Sequence, residues 1–194
     1  MKKFVFALGL TALTAAAQAA TATAVFAGGC FWCTESDFEK LPGVVAAESG
    51  YTGGKTANPT YEAVSAGHTG HTEAVRVTYD PAKVSYAQLV EFFWRTLDPT
   101  EKDRQFCDVG DQYRSGIYWG TDAERQVAEA SLARLKESGR FKNIYTEVKK
   151  ADPFYVAEDY HQDYYKKNSV RYSYYRFSCG RDAQIKRVWK MEGS

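Results

Sequence analysis

Near its N-terminal end the chain contains the segment Ala-Val-Phe-Ala-Gly-Gly-Cys-Phe-Trp-Cys, residues 24–33. Its first four residues are apolar and predict a buried strand, and Gly28-Gly29 predicts a tight turn directly after it. Residues 31–41 then predict a helix, which ends at Pro42-Gly43. Cys30 therefore lies at the start of a helix, where unpaired backbone N–H groups and the helix dipole would stabilise a thiolate. We expect Cys30 to have a lowered pKa and to act as a nucleophile.

Composition limits the classes of protein to which the chain can belong. The 194 residues carry 25 basic and 24 acidic side chains, so the formal net charge of +1 gives no indication of nucleic-acid binding. The apolar share of 44% excludes general disorder, and the length suits one ordinary domain with its own core. Aromatic residues make up 15% of the chain, and its four cysteines are too few for a disulfide-stapled mini-protein.

The first twenty residues have the pattern of an export signal. Lys2-Lys3 is followed by an uncharged apolar stretch over residues 4–16 and by Ala17-Gln18-Ala19, a small-x-small sequence that signal peptidase can cleave after. The apolar stretch is shorter than the roughly 20 residues that a membrane-spanning helix needs. We therefore expect residues 1–20 to be a cleaved signal peptide and residues 21–194 to form a single domain. The mature protein would work in an oxidising compartment such as the bacterial periplasm, without membrane attachment.

Strand and helix patterns alternate along the rest of the chain. The predicted strands cover residues 44–51, 73–79, 117–119 and 145–148, and predicted helices cover residues 61–66, 121–137 and 157–167. Another helix is predicted between Ser85, its N-cap, and Pro99. Thr121 with Glu124 three residues later predicts a capping box. Residues 98–114 are polar and irregular and predict a functional loop. This interleaving favours a single α+β or α/β domain.

The spacing of Cys30 and Cys33 puts both thiols on one face of the predicted helix, one turn apart. Cys33 could therefore form a disulfide with an oxidised Cys30. The same spacing occurs in zinc sites, but zinc would need two further ligands, and the other two cysteines do not form a second Cys-x-x-Cys. Phe31 and Trp32 between the cysteines suit a small apolar substrate group such as a methyl on sulfur, with packing at a helix start as the alternative.

The segment Gly29-Cys30-Phe31-Trp32-Cys33 resembles the G-C-F-W signature of the A-type peptide methionine sulfoxide reductases, which reduce the S epimer of the sulfoxide. Five further segments resemble that family in its order: residues 61–64, 70–75, 98–100, 108–115 and 157–162. The resemblance implies an enzyme with a single catalytic reductase domain, and we expect the protein to be a monomer. Its substrate would be methionine (S)-sulfoxide in oxidised proteins or peptides, with the free amino acid as a second candidate.

The resemblance also implies roles for individual residues. Cys30 matches the nucleophile that attacks the sulfoxide sulfur, and Glu73 matches the acid that protonates the sulfoxide oxygen. Tyr61 and Tyr113 match phenols that hydrogen-bond this oxygen while remaining neutral. The matching substrate-binding positions are Phe31, Trp32, Asp108, Tyr164 and Tyr172, and for the last three an indirect supporting role is the alternative.

Tyrosines are concentrated towards the C terminus, where seven of the fourteen lie between Tyr155 and Tyr175. Apart from the site positions, we assign these tyrosines, including Tyr174 and Tyr175, to packing. For the fold we expect an α+β domain, an α/β sandwich whose mixed, mainly antiparallel sheet is flanked by helices around a ferredoxin-like core. A long irregular C-terminal segment would follow it.

The cysteine pattern departs from that of the family. Many members carry a resolving cysteine, which displaces the hydroxyl of the oxidised nucleophile, directly after the position of Tyr172, where this chain has none. In the first scheme Cys33 resolves Cys30, and the remaining pair, Cys107 and Cys179, forms a structural disulfide. In the second scheme Cys107 or Cys179 resolves Cys30. We favour the first scheme, and either requires an external dithiol such as a thioredoxin-like protein, with no metal and no bound organic cofactor.

Two other classes of function stay open at this point. A general thiol–disulfide oxidoreductase could use Cys30 and Cys33, although the bulky aromatic pair between them argues against it. A non-enzymatic module could bind a peptide on its aromatic surface, with purely structural cysteines.

Overall fold

The computed structural model describes residues 20–190, so all but the last residue of the predicted signal peptide lies outside the described residues. The strands are β1 Ala22–Gly28, β2 Val44–Thr52, β3 Thr72–Tyr79, β4 Arg104–Gln105, β5 Asp108–Val109, β6 Ser115–Trp119, β7 Glu147–Lys150 and β8 Tyr155–Val156. The helices are α1 Phe31–Phe38, α2 Tyr61–Ser65, α3 Tyr86–Trp94, α4 Asp122–Glu137, α5 Tyr164–Lys167, α6 Ser169–Ser178 and α7 Arg181–Trp189.

The main sheet has six strands in the order β7-β6-β1-β3-β2-β8. Neighbouring strands are antiparallel except β6 and β7, which are parallel. Helix α1 connects β1 to β2, and α3 lies between β3 and β6, which is the connection of a ferredoxin-like β-α-β-β-α-β unit. The prediction of an α+β domain with a mixed, mainly antiparallel sheet is confirmed.

The core holds α1 and α3 against one face of the sheet. Phe26 in β1 is fully buried, and its ring centroid lies 4.8 Å from that of Phe38 in α1 and 5.0 Å from that of Phe93 in α3. Burying aromatic side chains of this size contributes much of a domain's hydrophobic stabilisation. Both helices are therefore fixed relative to β1, and the β1–α1 junction is held in place.

The predicted N-caps are confirmed. Ser85 Oγ accepts a hydrogen bond from the backbone N–H of Gln88, and Thr121 Oγ1 accepts one from that of Glu124, each within a capping box. These side chains satisfy backbone donors that the first helical turn leaves unpaired. The first helix is shorter than predicted, since α1 ends at Phe38.

The C-terminal segment differs from the prediction because it is helical and not irregular, with α5, α6 and α7 in succession. The predicted helix over residues 157–167 is reduced to α5. Ahead of α5, the Gln162 side chain bonds both the N–H and the C=O of Ser49, which holds this part of the chain beside β2 as turns. Within residues 20–190 no helix is long and apolar enough to cross a membrane.

Candidate active site

The strand-to-helix turn places Cys30 at the N-cap of α1. Gly29 has a φ of +82°, and a Cβ there would lie 2.5 Å from the Cβ of Gln105, so the turn requires glycine. The carbonyl oxygen of Cys30 accepts hydrogen bonds from the backbone N–H groups of Cys33 (3.1 Å) and Thr34 (3.2 Å), which start the helix. The predicted position of Cys30 at the start of a helix after a buried strand is confirmed.

A cavity of about 120 Å³ opens at this turn. It is lined by Cys30, Phe31, Trp32, Tyr61, Glu73, Asp108, Tyr113 and Tyr175. All of these except Tyr175 were predicted as site residues from the sequence. They come from α1, α2, β3, β5, α6 and the short 3-10 turn Asp111–Tyr113, so the fold assembles the cavity from segments far apart in the chain.

Glu73 is a buried carboxyl near the start of β3. Its Oε2 accepts a hydrogen bond of 2.9 Å from the backbone N–H of Phe31 at the start of α1. Burial, and to a smaller extent the carboxyl of Asp108, raise the pKa of Glu73 to about 8 against the lowering effect of this hydrogen bond. Glu73 is therefore largely protonated at neutral pH and can donate a proton inside the cavity.

Cys30 and Cys33 form a buried pair of free thiols, 6% and 1% exposed. Burial, and then the hydrogen bond to Cys33, raise the pKa of the Cys30 thiol, so the expectation of a lowered value is wrong. The same hydrogen bond, with help from Arg181 and Arg176, lowers the pKa of Cys33 to about 7. The first proton to leave the pair therefore comes from Cys33, and Cys30 keeps its proton.

Two phenols, those of Tyr61 and Tyr113, line the same cavity as the carboxyl of Glu73. Tyr61 begins α2, where its backbone N–H donates to Glu158 Oε1 at 2.8 Å, and Tyr113 ends the 3-10 turn. Burial raises the pKa of Tyr61 and of Tyr113, so both hydroxyls stay protonated. Neutral phenols are hydrogen-bond donors for an oxygen atom placed between them.

The aromatic side of the cavity is supported from behind. Trp32 stacks on Tyr164 with centroids 3.7 Å apart and an interplanar angle of 5°, and its indole N–H donates to Nδ1 of His161 at 3.0 Å. Tyr164 and Tyr172 do not line the cavity, and they pack with Cys30 and Cys33 in a separate buried cluster. Of the predicted substrate-binding residues, these two therefore support the site from behind its lining.

Tyr175 lines the cavity although the sequence reasoning assigned it to packing, which is wrong for this residue. Its hydroxyl donates to Asp108 Oδ2 at 2.5 Å, and its ring meets the Trp32 ring edge-on at 5.9 Å. Tyr174, in contrast, is 74% exposed. The spacing of three residues between Tyr172 and Tyr175 could have indicated that both side chains lie on one face of a helix, next to the site. The sequence analysis did not predict this helix.

Cys107 and Cys179 are joined in a disulfide, so the predicted pairing of these two is confirmed. Among residues 20–190, two groups of three potential metal-ligating side chains occur: Cys107, Asp108 and Cys179, and Glu35, Glu39 and Asp163. The sulfurs of the first group are bonded to each other, and neither group includes Cys30 or Cys33. The alternative of zinc at the Cys-x-x-Cys segment therefore finds no further ligands in this part of the chain.

Comparison with known proteins agrees with this geometry. A family profile described as peptide methionine sulfoxide reductase matches residues 22–193. The relative named peptide methionine sulfoxide reductase MsrA 2 from Caulobacter vibrioides is 50% identical over 188 residues, which cover 96% of this chain and 95% of the relative. The solved structure of methionine sulfoxide reductase A of Corynebacterium diphtheriae has a TM-score of 0.70 and 38% identity, covering 79% of this chain and 77% of that chain.

The structure of Mxr1 from Saccharomyces cerevisiae in complex with Trx2 is similar with a TM-score of 0.51 and 25% identity, covering 74% of this chain and 84% of that chain. The profile match spans almost all of the described residues, and the bacterial relative is similar over nearly its whole length. On these grounds the chain belongs to the peptide methionine sulfoxide reductase family.

Proposed function

We propose that this protein reduces methionine (S)-sulfoxide in oxidised proteins to methionine, with free methionine sulfoxide as a further substrate. One observation carries the proposal: a single small cavity contains a buried thiol, a carboxyl with a pKa of about 8 and two neutral phenols. A methyl sulfoxide needs each of these groups. The thiol attacks sulfur, the acid protonates oxygen, and the phenols hold that oxygen.

The first step follows from the positions of these groups. The methyl group of the sulfoxide packs against Phe31 and Trp32, and its oxygen faces Glu73 and the phenols. Glu73 gives its proton to the oxygen as the sulfur of Cys30 attacks the sulfoxide sulfur, and the thiol proton of Cys30 passes to Cys33. The sulfur–oxygen bond breaks and the oxygen moves to Cys30, which becomes a sulfenic acid while methionine is released.

In the second step we assign Cys33 as the resolving cysteine. Its sulfur attacks the sulfenic acid on Cys30, a disulfide forms and water leaves. Support comes from the hydrogen-bonded contact between these two thiols and from the disulfide that already joins Cys107 to Cys179. An external dithiol then reduces the Cys30–Cys33 disulfide to two thiols and is itself oxidised. The complex of Mxr1 with Trx2 supports a thioredoxin-type reductant, and no bound cofactor is required.

The activity is tested by supplying the two sulfoxide epimers separately to the purified protein with a dithiol. We expect turnover of the S epimer only, and complete loss of turnover in Cys30→Ser. Reduction of both epimers would contradict the assignment, as would S-epimer turnover by Cys30→Ser.

The resolving cysteine is tested by a single turnover without reductant, followed by mapping of disulfides by mass spectrometry. We expect a Cys30–Cys33 disulfide and an unchanged Cys107–Cys179 disulfide. Cys33→Ser should still release one methionine per enzyme and then stop. A disulfide from Cys30 to Cys107 or Cys179 would overturn the assignment.

We also propose that the protein is exported to the periplasm and works there as a monomer without membrane attachment. The export proposal rests on the signal-like residues 1–20 and on the disulfide, since disulfides persist in oxidising compartments. Cell fractionation with N-terminal sequencing tests export, and the mass in solution tests the monomer.

A further inference from the structure

Helix α6 and the β4–β5 hairpin are joined by two neighbouring ties. The disulfide links Cys107 to Cys179, and the hydroxyl of Tyr175 donates to Asp108 Oδ2 at 2.5 Å. Cys107 and Asp108 are adjacent in sequence, and the backbone N–H of Cys179 donates to the carbonyl of Tyr175 at 2.9 Å, so the two ties lie one helical turn apart. A third contact, from the N–H of Cys107 to the sulfur of Cys179, measures 3.2 Å.

The hairpin and α6 are short elements that meet at the catalytic cavity. The strands of the hairpin are two residues long each, and Tyr172 is the one buried residue of α6. Val170, Tyr174 and Phe177 on α6 are exposed. Yet Asp108 from the hairpin and Tyr175 from the helix both line the catalytic cavity. The hairpin is anchored in the protein by buried Gln105 and Phe106, whereas most of α6 is exposed, so the two ties fix this helix at a site that needs fixed geometry.

We propose that the Cys107–Cys179 disulfide and the Tyr175–Asp108 hydrogen bond act as one clamp, and that Tyr175 is a positioning residue that holds Asp108 beside Glu73. The role rests on the sulfoxide reduction proposed above, since its purpose is to keep the acid of that reaction protonated. Tyr175 itself contributes a phenol that stays protonated, because burial raises its pKa. It can therefore donate to the Asp108 carboxylate across the whole working range of pH.

The clamp also affects the pKa of Glu73. Burial raises the pKa of Asp108, and the hydrogen bond from Tyr175 acts against this and favours the charged carboxylate, whose negative charge raises the pKa of Glu73. If the clamp opens, Asp108 either binds a proton more readily or moves away. Both changes reduce the negative charge near Glu73, so its pKa falls and it loses its proton at a lower pH.

Other ionisable groups also face these two carboxyls and have to be followed in the same titration. Around Glu73 they are Cys30, Cys33, Tyr51, Tyr61, Asp108 and Tyr113. Around Asp108 they are Cys30, Glu73, Tyr113, Tyr175 and Arg181.

The test replaces Tyr175 by Phe, which keeps the ring against Trp32 and removes only the hydroxyl. Tyr174→Phe is the matched control, because Tyr174 is the next residue of α6 and 74% exposed. The pKa of Glu73 is measured by carbon-13 NMR of the side-chain carboxyl, assigned with Glu73→Gln, and needs no turnover. We expect the midpoint to fall by roughly half a pH unit or more in Tyr175→Phe and to stay unchanged in Tyr174→Phe.

The pH dependence of kcat/KM for the sulfoxide should shift together with the pKa of Glu73. Activity should therefore decline at a lower pH in Tyr175→Phe than in wild type. The double variant Cys107→Ser/Cys179→Ser opens the other tie and should move the Glu73 midpoint in the same direction. Glu73 midpoints equal to that of wild type in both variants, with folding confirmed by circular dichroism, would overturn the clamp. If the midpoints shift but the wild-type protein reduces no sulfoxide, the proposed function fails and the clamp stands.

Discussion

Glu73 illustrates how one buried residue acquires a chemical role from its surroundings. Its pKa of about 8 means that the protonated form is present below this pH and is lost above it. We expect Glu73→Gln to lower kcat/KM by about 10²- to 10⁴-fold, because the amide can occupy the same space but supplies no acidic proton. The measurement is kcat/KM against pH, in which wild type should decline as the pH rises through about 8.

The residual activity of Glu73→Gln should lack this alkaline decline. A decline of the same shape in the variant would assign it to another group, with the Cys30–Cys33 pair as the first candidate.

For single residues, the sequence predicted the nucleophile and most of the residues that line the cavity, because a short motif and separated family-like segments contain them. It did not reveal Tyr175, whose contact with Asp108 depends on the approach of α6 to the β4–β5 hairpin. It also gave the wrong direction for the pKa of Cys30. The helix start is visible in sequence, whereas the burial that outweighs it is a tertiary effect, to which the hydrogen bond with Cys33 and then the charges of Glu73 and Asp108 add.

Among the elements, the β1–α1 junction depends on Gly29. Replacing it with Ala adds strain at a φ of +82° and a Cβ that would lie 2.5 Å from Gln105. We expect Gly29→Ala to lower the free energy of unfolding by about 2 kcal/mol or more and to reduce kcat by displacing Cys30. Urea denaturation measures the first effect and steady-state kinetics the second.

Gly139→Ala is the control for this change. Gly139 has a φ of +63°, but its added Cβ would meet no atom within 4 Å, so it carries the backbone strain alone. It should cost only about 1 kcal/mol and leave kcat unchanged. Equal effects of the two substitutions on kcat would show that the close approach to Gln105 does not position Cys30.

Glu35 joins three elements from inside the protein. Its carboxyl accepts hydrogen bonds from the hydroxyl of Ser49 in β2 and from the backbone N–H of Asp163, at 2.6 Å, just before α5. Burial raises its pKa from 4.5 to about 7, so the folded protein keeps this proton at pH values where the unfolded chain has released it. The contribution of Glu35 to stability is therefore complete below about pH 4.5 and is lost as the pH rises to about 7.

Glu35→Gln removes this titration and can keep both hydrogen bonds. We expect the variant to gain stability relative to wild type between pH 5 and pH 8, as measured by urea denaturation at each pH. Glu73 titrates in both proteins, so its effect on the free energy of unfolding cancels in the difference between the variant and wild type. A difference between the two proteins that does not change with pH would refute the role of Glu35.

For the molecule as a whole, the sheet was predictable because its central strands alternate with helices whose caps and breakers are local signals. Helices α6 and α7 at the C-terminal end were not predicted. Tyr172 of α6 is buried while Val170, Tyr174 and Phe177 are exposed, so apolar residues occur on several faces and give no clear helical period. The helix is held by tertiary ties, and the disulfide to Cys107 is one of them.

That disulfide connects residues 72 apart in sequence. A crosslink of this span restricts the unfolded chain, so its loss in Cys107→Ser/Cys179→Ser should lower the free energy of unfolding by about 2–4 kcal/mol. Urea denaturation without reductant measures the difference. Adding a dithiol that reduces the disulfide should bring wild type to the stability of the variant and leave the variant unchanged. If the variant is as stable as oxidised wild type, the disulfide does not stabilise the fold, and the stability of the protein does not depend on an oxidising compartment.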